Sequence, residues 1–151
     1  VLRLTEEFDR PKIDMNPTFS QTTFMGQWLL NPPSVEGWHW GPEWIDSGAL
    51  VERVNFASER LGNLDSPGVR TMIDRIATDN PSELTPEGLV ERALDVLSLT
   101  DVSEKTQSAL IEFAEAQLSE MNRSSDSESK SRQHIANVLR LVGATPEFQR
   151  A

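Results

Sequence analysis

The residues best equipped for chemistry lie close together. The stretch "NPPSVEGWHWGPEW", residues 31–44, carries His39 between Glu36 and Glu43, with Trp38, Trp40 and Trp44 interleaved and Asp46 just beyond. A histidine paired with a carboxylate in an aromatic pocket can act as a general acid or base, its pKa raised by the negative neighbour. That reading makes the chain a hydrolase-type enzyme using His39 with Glu36 or Glu43. A second reading uses the same residues for binding: Trp40 as a stacking platform for sugars or peptides, with His39, Glu36 and Glu43 supplying hydrogen bonds. A third is structural. Trp38 and Trp44 pack onto helix faces as a plug that locks two helices together, and His39 is a backbone-bonded loop residue.

Known catalytic patterns are missing. The chain has neither His-Glu-x-x-His nor a Gly-x-Ser-x-Gly elbow. It has no cysteine and only two histidines, His39 and His134, far apart in sequence, so no metal site and no cofactor is expected. His134 follows a serine-rich stretch and is expected at the surface. Asp9 with Asp14 and Asp126 with Glu128 lack the calcium-loop pattern.

These residues need elements to hold them. A polar residue followed by proline recurs at Asn16-Pro17, Ser66-Pro67, Thr85-Pro86 and Thr145-Pro146. The side-chain oxygen can cap orphan helix amides, and proline at the first helical position forfeits no hydrogen bond. Apolar residues then recur at helical spacing. Phe19, Phe24 and Trp28 can line one side of a first helix over 17–29. Leu50, Val54, Ala57 and Leu61 follow, in a helix capped by Asp46 or Ser47 and ended at Gly62 and Asn63. Further stripes are Val69 to Ile76, Leu89 to Leu97, Leu110 to Met121 (capped by Ser103) and Ile135 to Val142, ended at Gly143. No stretch alternates as a half-buried strand would. The expectation is one all-α domain over 1–151, a bundle of about six helices with one long ordered Trp/Pro/Gly-rich loop over 30–45. Pro32, Pro33 and Pro42 stiffen that loop, and Gly37 and Gly41 permit its turns. A polar, serine-rich segment, 122–131, reads as a mobile loop between the last two long helices.

Composition narrows the partners. Net charge is −10, from 24 acidic and 14 basic residues. That argues against nucleic acid, which is held by Lys and Arg neutralising phosphates. No apolar run approaches the roughly 18 residues of a membrane span.

The segment "MGQWLLNPPSVEGWHWGPEWIDSGALVERVNFASERL" resembles the signature of the bacterial family called domain of unknown function 1800. Its Gly-Gln, Pro-Pro-x-Val-x-Gly-Trp and Gly-x-x-Trp-Ile steps fall on Gly26, Gln27, Pro32, Pro33, Val35, Gly37, Trp38, Gly41, Trp44 and Ile45, followed by Leu50 and Arg53. "LTPEGLVERALDVL" and the closing "LRLVGATPEFQRA" are similar to its later patterns. Gly26 is a structural position of that motif, and Gln27 and Arg53 are expected to tie the loop's carbonyls to the flanking helices, since a buried irregular segment must satisfy its backbone groups. The resemblance implies the C-terminal part of a longer, exported bacterial protein, in keeping with an opening on Val1 in mid-pattern. It also implies two partners, the missing N-terminal region and a protein of the domain of unknown function 1501 family. It carries no established activity.

Overall fold

The computed structural model describes residues 1, 4–5, 15–28, 30–37, 47–77, 84–123 and 128–150. Seven helices occupy them: α1 (Met15–Phe24), α2 (Ser47–Leu61), α3 (Pro67–Ile76), α4 (Pro86–Val96), α5 (Glu104–Arg123), α6 (Glu128–Gly143) and α7 (Pro146–Arg150). No strand forms among the described residues. The chain is the expected all-α bundle, with a short helix added at its end.

The helix starts follow their local chemistry. Thr85 Oγ1 accepts the Gly88 amide at 3.1 Å. Ser103 Oγ accepts that of Thr106 at 3.3 Å, and Thr145 Oγ1 that of Phe148 at 3.3 Å. Each satisfies an amide that the helix itself leaves unpaired. Ser66 departs from the pattern. It makes no side-chain cap bond, and its hydroxyl instead donates to the Thr5 carbonyl. Thr5 and Ser66 are both buried there. Gly68 makes the approach possible, because a Cβ at that position would lie 2.3 Å from the Leu4 carbonyl oxygen.

The core sits around α6. Ile135, Ala136, Val138, Leu139 and Val142 of α6 are buried, in a helix that packs on α2, α3, α4, α5 and α7. Val69, Met72, Ile73 and Ile76 of α3, Leu89, Val90 and Ala93 of α4, and Leu110, Ala114 and Leu118 of α5 complete the cluster. All of these except Ala136 lie on the apolar stripes read from sequence.

Two expected boundaries move. α5 continues through Arg123 and α6 begins at Glu128, so both helices enter the serine-rich segment 122–131. Glu128, Lys130 and Arg132 are good helix formers, and Arg132 Nη2 lies 2.8 Å from Asp74 Oδ1, tying the start of α6 to α3. His134 is therefore inside a helix and half-buried. Its Nδ1 lies 2.9 Å from Gln117 Oε1, which also accepts from Asn137 Nδ2 at 3.0 Å.

The C-terminal turn acts as a clasp. Glu147 Oε1 accepts from Ser103 Oγ and Thr106 Oγ1, both at 2.9 Å, and from the Ser103 amide at 3.3 Å. Gln149 Nε2 donates to the Gly143 carbonyl at 2.6 Å, closing the end of α6. The Glu147 carboxyl is pulled from 4.5 to about 2, first by its own backbone amide, then by the Ser103 and Thr106 hydroxyls, with burial opposing.

Candidate functional site

The sequence pointed at the segment between the first two helices. Its described part begins where α1 stops. The stripe Phe19, Phe24 and Trp28 suggested a helix to residue 29, but α1 ends at Phe24. The cause is Gly26, in the left-handed region with φ 88°. The Gly26 amide donates to the Thr23 carbonyl at 3.0 Å, and the Gln27 amide to that of Thr22 at 2.8 Å. This pair of crossed bonds is a Schellman closure, which satisfies the last carbonyls and turns the chain away. The Gly-Gln step is thus a helix stop. Gln27 serves it through its backbone, and its side chain is exposed. The start shifts as well: α1 opens at Met15, placing Asn16 and Pro17 within its first turn rather than ahead of it.

Two tight turns follow. The Asn31 amide donates to the Trp28 carbonyl at 3.1 Å, with Leu30 at φ 65°. A branched side chain in that region carries a backbone cost of about 1–2 kcal/mol. In the next turn the Gly37 amide donates to the Ser34 carbonyl at 3.1 Å, and the Glu36 amide to Ser34 Oγ at 3.2 Å. Gly37 has φ 99°, which explains the glycine in the Pro-Pro-x-Val-x-Gly step. Pro32, Pro33 and Glu36 are exposed along this path.

The apolar side chains here face outward. Phe24 is 67% exposed, Trp28 54%, Leu30 89% and Val35 106%. Phe19 and Val51 are also exposed, and every exposed large hydrophobic among the described residues falls between 19 and 51. The physical reason is placement. α1 packs mainly on α2, and the helices that form the core lie beyond it. From Met15 to Val35 the chain carries no charged residue. The link to α2 is polar: Arg60 Nη2 donates to Gln21 Oε1 at 3.3 Å, while the guanidinium carbon stands 5.3 Å from the Phe56 ring centre. Arg53 is half-buried on α2.

Trp38, His39, Trp40, Gly41, Glu43, Trp44 and Asp46 lie outside the described residues. Glu36, the described member of the acid/base group, is exposed in the Ser34–Gly37 turn. No group of three or more His, Cys, Asp or Glu among the described residues could hold a metal ion. No described helix is long and apolar enough to cross a membrane.

What fold and segment define is an all-α bundle whose first helix is stopped by a Gly-Gln closure and followed by two tight turns over 28–37. The chain belongs to a family of proteins of unknown function, DUF1800, whose model matches residues 1–150. No curated protein and no solved structure is matched.

Proposed function

We propose that this chain is an interaction module. The side formed by α1 and the turns after it seats against the upstream part of a longer protein of which these residues are the C-terminal part. The observation that carries the reading is that, among the described residues, exposed large hydrophobics are confined to 19–51. Scattered single apolar residues are ordinary on a surface, whereas a concentration of them marks an interface. Charge supports the same side. The molecule carries −10 overall, yet 15–35 is uncharged, so a partner meets apolar surface there without desolvating charges. Leu30 adds to this, since its left-handed backbone holds a bulky apolar side chain almost wholly in solvent. The plug reading rests on Trp38 and Trp44, outside the described residues, while the exposed Phe24, Trp28, Leu30 and Val35 support a binding surface.

The test is a double variant, Phe24→Ser with Leu30→Ser, and a titration with the purified upstream region. Both side chains are mostly exposed, so the thermal midpoint should change little. Affinity should fall at least about tenfold, as expected for apolar anchors at the centre of an interface. Equal affinity of variant and wild type would remove this side of the molecule from the interface. The same titration with a protein of the domain of unknown function 1501 family asks whether that partner uses the surface instead.

A further inference from the structure

A separate feature lies on the far side of α2. Ser58 of α2, Phe113 of α5, and Asn137, Arg140 and Leu141 of α6 line an open hollow of about 230 Å³, with Ala144 at its end. α6 packs on both α2 and α5 and contributes Asn137, Arg140 and Leu141 at helical spacing along one face, with Ala144 just past its end.

Arg140 is the unusual member. Four other described arginines are engaged: Arg70 with Asp65, Arg75 with Asp95, Arg132 with Asp74, and Arg92 with the Ile76 carbonyl. No described residue accepts a hydrogen bond from the Arg140 guanidinium or pairs with it, although the chain has 24 acidic residues. Its stem is nevertheless placed. It runs across Gly62, where a Cβ would lie 2.6 Å from Arg140 Cδ and 3.0 Å from the Ser58 carbonyl oxygen. The end of α2 beneath it presents the negative pole of the helix, which favours a cation. The result is a guanidinium over a half-apolar hollow with its donors unspent. Asn137 is already committed to Gln117 and Gln133.

We propose that the hollow binds a small organic acid. Arg140 takes the carboxylate through paired N–H donors, a geometry that guanidinium and carboxylate share. The Ser58 hydroxyl gives a further hydrogen bond, and Phe113 and Leu141 receive the apolar body. Size sets the class: the hollow is smaller than the roughly 300–1,000 Å³ of pockets for drug-sized ligands. It suits an acid with a single ring or a short branched chain. This site is independent of the α1 surface and does not rest on it.

Phenylacetate is the probe, titrated into the ¹⁵N-labelled 151-residue chain at low salt, with phenylacetamide as the neutral isostere. The assignment requires saturable shifts at Ser58, Phe113 and Arg140. Phenylacetamide, and phenylacetate with Arg140→Gln, should each bind at least about tenfold more weakly. Arg140 is exposed, so the variant should keep the wild-type thermal midpoint. Equal shifts from acid and amide, undiminished binding in Arg140→Gln, or no saturation would overturn the proposal. A blocked peptide carrying glutamate that binds more tightly than phenylacetate would overturn the small-acid assignment in favour of a peptide partner.

Discussion

Replacing Gly26 with alanine tests the helix stop that shapes the proposed interface. Two terms oppose each other. Alanine in the left-handed region costs about 1–2 kcal/mol, while removing a glycine recovers about 0.4–1 kcal/mol of unfolded-chain entropy. Crowding adds nothing, because the new Cβ would stand 3.8 Å from Ala49 Cβ, an ordinary contact. The net loss is about 1 kcal/mol, and it should be local to the end of α1. The same closure appears at the end of α4 with the opposite chemistry. There Ser98 has φ 57°, its amide donates to the Asp95 carbonyl at 2.9 Å, and the Leu99 amide to that of Leu94 at 2.9 Å. Ser98→Gly should therefore stabilise, by about 0.5–1 kcal/mol. Amide hydrogen exchange reads both. The Gln27 amide should lose about fivefold protection in Gly26→Ala, and global stability should rise in Ser98→Gly. Unchanged Gln27 protection, or a Ser98→Gly protein less stable than wild type, would refute the argument from left-handed backbone cost.

Two further outcomes follow from contacts elsewhere. The Glu147 carboxyl sits below its ordinary value in the folded state, so its contribution is complete above 4.5 and is lost as pH falls toward about 2. In an acid titration between those values the wild type should lose stability more steeply than Glu147→Gln, and parallel curves would show that the clasp carries no charge-dependent stability. Gly68→Ala gains about 1 kcal/mol of helix propensity but drives a Cβ into the backbone of residues 4 and 5. We expect a net loss, with Thr5 and Ser66 uncovered and residues 1–5 cleaved faster by protease; a more stable protein with unchanged cleavage would mean that the N-terminal turn yields without consequence.

Much of the bundle is legible because its signals are local. The stripe Val69, Met72, Ile73 and Ile76 is helical in spacing and buried in fact, and the Thr85 cap is made as its hydroxyl suggests. Ser66 shows where local reading stops: its hydroxyl has two possible acceptor and donor roles, and the choice is made by Thr5, distant in sequence. The end of α1 was marked by Gly26 and Gln27, but Trp28 extends the apolar stripe past them, and periodicity gave the wrong boundary. Whether Phe24 and Trp28 face a core depends on which helices reach α1, which no local pattern encodes. Leu30 carries no sequence signal at all for its left-handed backbone, since leucine is not a residue that favours it. Arg140 looked like any surface arginine, and its isolation from carboxylates exists only in three dimensions.

The clasp at the C-terminus also bears on how the chain comes to be made. The start of α5 is completed by a carboxylate 44 residues further along. At the usual pace of about 5–20 residues per second, roughly 2–9 s separate synthesis of Ser103 from that of Glu147. During that interval α4 and α5 can pair, but the opening turn of α5 waits for a residue not yet joined to the chain. The opening turn of α5 is thus closed by residues made well after it, and a chain cut short before Glu147 would carry α5 without that fastening.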